Sequence, residues 1–157
     1  MMTGLKILFG WFLGMSLAVN VHADGTSDPL VGKWKTIDDR TGYSLADVVI
    51  RKDKTSQQYS ATIVSTRNTP GAVMIETCQK CTGQYKDRAL LGLTILSGLT
   101  AVHANAHEFR GGALLDPYNG HEYQARAKLI TNGKHLIIYG STLGATVGRN
   151  MTWVKQE

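Results

Sequence analysis

The sequence runs to 157 residues, 43% hydrophobic and 18% charged, with 17 Gly, 3 Pro and 2 Cys. That composition excludes a disordered or low-complexity chain and a disulfide-dense miniprotein, and it leaves room for one hydrophobic core. The formal net charge is +5, but the basic residues stand singly rather than beside stacking aromatics, so nucleic acid is not an expected partner.

The first segment reads as an address. Met1 to Lys6 carries one positive charge, Ile7 to Val19 is apolar, and Val21-His22-Ala23 supplies small residues at −3 and −1 of a cleavage site. The pattern predicts a signal peptide over 1–23, cut after Ala23, and a mature domain over 24–157 in the periplasm. The apolar run is shorter than the roughly 20 residues a bilayer requires, so the chain is not expected to span a membrane.

From Gly32 onward the sequence alternates with the two-residue period of half-buried strands. Ala46, Val48 and Ile50 alternate with Leu45, Asp47 and Val49. Tyr59, Ala61 and Ile63 share one face, with Ser60 and Thr62 on the other. Phe109, Ala113 and Leu115 alternate with Arg110, Gly112 and Leu114. Tyr123, Ala125, Ala127 and Leu129 must face a core, because Arg126 and Lys128 between them cannot. Leu136 and Ile138 follow, and Arg149, Met151 and Trp153 alternate with Asn150, Thr152 and Val154. Turn signals separate the runs. Asn132-Gly133 suits a type I′ hairpin in which both residues take positive φ, and Asp116-Pro117-Tyr118-Asn119-Gly120 joins a φ-fixing Pro to a permissive Gly. Residues 67–88, which hold both cysteines, are polar and irregular and read as a long loop. The prediction is an all-β, antiparallel, up-and-down barrel of about eight strands, a closure that leaves no strand edge exposed.

Gly32-Lys33-Trp34 at the first strand and Arg149 at the last resemble the lipocalin signature, in which an indole packs beneath a basic side chain and closes one end of the barrel. A shielded guanidinium over an indole is worth about 0.5–2 kcal/mol, and Trp34 and Arg149 are accordingly the expected closing pair. A closer resemblance covers residues 30 to 155. Val31-Gly32-Lys33-Trp34, Cys78-Gln79-Lys80-Cys81, Gly92-Leu93-Thr94-Ile95-Leu96, Gly111 to Pro117, Asn119-Gly120-His121-Glu122-Tyr123, and Gly144 through Arg149 to Trp153 are similar, in order, to a bacterial periplasmic family known as domain of unknown function 2147. The resemblance implies a lipocalin-like barrel and no established reaction. Tyr139-Gly140 departs from the Arg-Gly of that pattern.

Three chemistries suit Cys78 and Cys81. An oxidising compartment favours a disulfide bracing the loop. A redox centre would need a helix N-terminus behind Cys78 to lower its pKa, and Thr82-Gly83-Gln84-Tyr85 offers none. A tetrahedral metal site could add His103 and His107, although oxidation would remove the thiolates. No metal and no cofactor is expected. Hydrolase signatures such as Gly-x-Ser-x-Gly and His-Glu-x-x-His are missing from the sequence. Asp38 and Asp39 are adjacent and would point to opposite faces of a strand. Asp116 could gather with Glu108 and Glu122 at a barrel mouth, yet beside Pro117 it is more simply a turn residue accepting backbone N–H bonds. The expected activity is therefore binding rather than catalysis.

The lumen candidates are Tyr59, Ala61, Ile63, Tyr123, Ala125, Ala127 and Tyr139. Small inward side chains would leave volume for a small apolar or amphipathic ligand, with tyrosines lining or rimming it. The same pattern also fits a core filled by Trp34, Trp153, Met151 and Phe109, which would make the protein an envelope structural or interaction module with an unidentified protein partner.

Overall fold

The computed structural model describes residues 27–71, 74–103, 107–142 and 148–157. The expected signal segment, residues 1–23, and Gly144 lie outside these residues. Eight strands form a closed antiparallel barrel in which each strand pairs with its sequence neighbours: β1 Gly32–Asp38, β2 Ser44–Lys52, β3 Tyr59–Thr66, β4 Thr94–Ala101, β5 Glu108–Asp116, β6 His121–Leu129, β7 His135–Ser141 and β8 Gly148–Lys155. Pairing of β8 with β1 closes the ring. A 3-10 turn, Gly83–Tyr85, interrupts the long β3–β4 connection. Among the described residues no helix is long and apolar enough to cross a membrane.

Alternation places the core as the sequence requires along most strands. Trp34, Val48, Ile50, Ala61, Leu96, Leu99, Leu136, Ile138 and Trp153 are all fully buried inside the ring. β5 differs. Across from β6 it places both Arg110 and Gly111 opposite the single residue Arg126, between the paired positions Phe109–Ala127 and Gly112–Ala125. This bulge is made possible by Gly111 at φ +77°, and it flips the alternation beyond it. Gly112, Leu114 and Asp116 therefore point inward with Phe109. Ala113 and Leu115, expected on the Phe109 face, point outward, and Leu115 is buried there under the loop.

The turn at Asn132-Gly133 is also not the expected type I′. Only Gly133 takes positive φ. The Gly133 N–H donates to Ile130 O at 2.8 Å, and Asn132 Oδ1 accepts from the Lys134 N–H at 2.8 Å.

Cys78 and Cys81 form a disulfide with Cα atoms 5.3 Å apart. Both are buried, and the segment around them folds back on itself through the Thr77–Ala89 bridge and the Leu90 N–H to Glu76 O bond of 2.8 Å. This loop docks on the turn after β5. Gly120, at φ +77°, lies so close to the Lys80 carbonyl that a Cβ there would collide with it.

Candidate functional site at the barrel mouth

One end of the barrel is sealed by apolar packing and by the segment before β1. Leu30 is fully buried there and accepts the Trp34 indole N–H at 2.9 Å. Asp28 fastens the segment: its Oδ2 accepts from Tyr59 Oη at 2.8 Å and from Lys52 Nζ at 3.3 Å, while Oδ1 accepts from the Leu30 N–H at 3.0 Å. Burial pushes the Asp28 carboxyl up, but the Tyr59 hydroxyl, the Leu30 amide and the Lys52 ammonium outweigh it and hold it below the ordinary range.

The cation over Trp34 is Lys155, not Arg149. Lys155 Nζ lies 5.4 Å from the indole ring, and Lys155 is the register partner of Trp34 across the β1–β8 seam. Arg149 shares the inward parity of Lys155 but sits six positions earlier, about 20 Å away along a strand rising roughly 3.4 Å per residue. The expected Trp34–Arg149 pair is thus replaced by Trp34–Lys155, because the antiparallel register brings the end of β8, and not its start, to the beginning of β1.

At the mouth the inward positions turn polar. Asp38 ends β1, Asp116 ends β5 and Arg149 begins β8, so three strands deliver three charges to one place. Arg149 Nη2 lies 3.2 Å from Asp38 Oδ1, and Nη1 contacts Asp116 Oδ2. The carboxylates are almost wholly buried, at 5% and 2% side-chain exposure, against 23% for the guanidinium that bridges them. Asp38 also accepts from Thr41 Oγ1 at 3.0 Å and from the Arg40 N–H at 3.3 Å, and Asp116 Oδ1 accepts from the Tyr118 N–H at 3.0 Å. Burial pushes the Asp38 carboxyl up; Thr41, the Arg40 amide and the Arg149 guanidinium together pull it below the ordinary carboxylate value. Two carboxylates on one guanidinium leave a formal excess of one negative charge, met partly by the exposed Arg40 at 3.8 Å from Asp38.

Below this trio the lumen is apolar. Tyr59, Ala61, Ile63, Ala125 and Ala127 all face inward and are 0–5% exposed. Trp34, Trp153, Met151 and Phe109 pack in the same interior, with the Tyr59 and Phe109 rings edge to face at 5.5 Å. The Tyr59 hydroxyl is committed to Asp28 at the sealed end. Tyr123 faces inward nearer the mouth, packs on Gly140 and accepts from Asn119 Nδ2 at 2.9 Å. Tyr139 does not join them. It lies on the outer wall beneath Arg126, whose Cζ is 5.1 Å from its ring centroid, because the parity that buries Leu136 and Ile138 turns position 139 outward. The Trp153 indole N–H, fully enclosed, meets no acceptor among the described residues.

Asp38 and Asp116 were legible in part. Asp38 shares parity with Trp34, and Asp116 does serve its turn. Their meeting at Arg149 was hidden, because it depends on the β5 bulge and on the seam register.

A family model described as "Uncharacterized protein conserved in bacteria (DUF2147)" matches residues 32–155. No curated protein matches the sequence. Among solved structures, protein HP1028 from the human pathogen Helicobacter pylori, described as belonging to the lipocalin family, is similar to this chain. The TM-score is 0.64 at 21% identity, covering 82% of this chain and 83% of that one. At that identity the likeness shows the fold.

Proposed function

As the chain belongs to the DUF2147 family of uncharacterized bacterial proteins and folds as a lipocalin-like barrel, we propose that it is a non-enzymatic binding protein, exported to the periplasm after removal of residues 1–23. Its ligand is a small amphipathic molecule held in the mouth half of the barrel. The observation that carries this reading is the inward-facing Asp38–Arg149–Asp116 trio. A core that only had to fill space would be cheaper to build from apolar side chains, since buried ion pairs contribute little net stability over well-packed hydrophobic residues. A polar head would meet the trio, and an apolar body would lie toward Met151 and Tyr123. The unpartnered Trp153 N–H offers a further donor deeper in the lumen.

Native mass spectrometry of the protein purified from periplasm tests this. The expected result is an excess mass that organic extraction removes, and that the Arg149→Leu variant no longer retains. A bare polypeptide mass, together with no uptake of a fluorescent amphiphile, would refute lumen binding.

A second reading, an envelope interaction module with a filled core, is favoured by the enclosure of Ala61, Ala125 and Ala127, which are 0–5% exposed despite their small size. The same measurement separates the two readings, since a filled core carries nothing.

A further inference from the structure

We propose that the outer wall of the barrel carries an anion site between Arg110 and Arg126, suited to a phosphate group. It is independent of the lumen. The β5 bulge sets Arg110 and Gly111 against Arg126, so two exposed guanidinium side chains share one place on the β5–β6 ladder. Like charges opposed across a sheet are destabilising. Among the described residues no carboxylate lies within ion-pair distance of either arginine. Arg126 is steered rather than loose, because Tyr139 on β7 holds its guanidinium over the ring.

Two grooves flank Arg126, and Arg110 lines both. The larger, about 570 Å³, has Gly111, Gly112, Gln124 and Ser141 as its remaining polar or side-chain-free lining. That volume falls within the range of small-molecule sites. Gly111, in the left-handed region at φ +77°, leaves the groove floor free of a side chain there, so a ligand can approach the backbone. The Gln124 amide and the Ser141 hydroxyl add neutral donors. In the smaller groove, about 280 Å³, Glu108 lines the wall together with both arginines and Lys128, without an ion pair to any of them. The larger groove has no carboxylate in its lining, and it is there that the arginine pair faces a ligand uncompensated. Paired guanidinium forks match the oxygens of a phosphate, which accept bidentate hydrogen bonds.

The phosphate could belong to a soluble ester or to a phospholipid headgroup, and two arms of one experiment distinguish them. In the first, inorganic phosphate and glycerol 3-phosphate are titrated calorimetrically at low ionic strength. In the second, the protein is sedimented with vesicles of phosphatidylcholine, with and without phosphatidylglycerol. Arg110→Gln and Arg126→Gln should each weaken binding about tenfold or more, as loss of a hydrogen bond to a charged group does. Arg51→Gln, exposed on the outer face of β2, should leave binding unchanged, and all three variants should remain folded, with cooperative melts. Saturable binding of the soluble probes assigns a soluble ligand. Sedimentation only with phosphatidylglycerol, lost in the Arg110→Gln/Arg126→Gln double variant, assigns a headgroup. No binding in either arm, or binding that survives the double variant, overturns the proposal.

Discussion

Replacing Arg149 by Leu removes the one cation that two buried carboxylates share. Breaking a buried ion pair by deleting one partner costs about 3–5 kcal/mol, because the other charge is left without compensation. Arg149 is 23% exposed, so water screens part of the interaction. Asp38 and Asp116 also keep their bonds to Thr41, Arg40 and Tyr118. The expected loss at pH 7 is therefore about 2–3 kcal/mol, toward or below the lower end of that range. Its pH dependence is the sharper signature. In the wild type the Asp38 carboxyl is held below the ordinary carboxylate value of 3.8, so its stabilisation is present above that value and is lost as the pH falls through the folded one. Without Arg149, burial weighs more heavily on the Asp38 carboxyl, whose charged form keeps only its bonds to Thr41 and the Arg40 amide. Acid would then cost the variant less than it costs the wild type. The deficit, measured by urea unfolding from pH 7 down to about pH 3, should shrink as the pH falls below about 4. Arg149→Lys, which keeps the charge, should lose less than Arg149→Leu at every pH. A deficit below about 1 kcal/mol, or one that is constant over that range, would refute the coupling of the three charges.

Trp34→Ala should destabilise by about 3–5 kcal/mol in denaturant melts, as large aromatic truncations in cores do, whereas Lys155→Gln should cost about 1 kcal/mol, the scale of a partly shielded cation–π contact. Gly120→Ala should cost about 2–4 kcal/mol by thermal melting, from the left-handed backbone penalty and the collision with Lys80; a neutral effect would mean that the disulfide loop does not dock on that turn. Cys78→Ala/Cys81→Ala, which buries no hydroxyl at these enclosed positions, should lose about 2 kcal/mol, since so short a loop restricts the unfolded chain little. The wild type should lose stability as the pH drops below about 4, where Asp28, Asp38 and Asp47, all held below the ordinary carboxylate value, take up protons on unfolding.

Strands whose one face meets water could be read from alternation alone. β6 carries polar residues at every outward position and β3 and β8 at most of theirs, so side-chain parity named their buried faces, and in β2 Asp47 and Arg51 marked the outward face although Leu45 and Val49 share it. β4 could not be read in this way. Ile95 and Leu96 are adjacent and both buried, because a bulge inserts Ile95 between Thr94, opposite Thr62, and Leu96, opposite Ala61. β5 was read with its second half inverted, because a bulge adds a residue that no simple period reveals; Gly111-Gly112 was its only trace in the sequence. The indole-and-cation closure was foreseen as chemistry and misplaced by register, which depends on how the ends of the chain align. Tyr139 was grouped with the lumen tyrosines despite standing one residue after Ile138. The mouth trio was beyond reach, because it joins the ends of three strands whose alignment only the closed barrel sets.

The seam between β1 and β8 also bears on how quickly this protein can form. Arg149 and Asp38 are 111 positions apart in the chain, so ring closure must await a contact between distant segments, after the local hairpins have assembled. Such topologies fold slowly, commonly in milliseconds to seconds. Until that last rung joins, β1 and β8 each present an unpaired edge, and the nascent sheet is exposed to self-association. Closure therefore ties the last step of the tube to two of its most distant segments, so a change that weakens the β1–β8 seam lengthens the time those edges stay open.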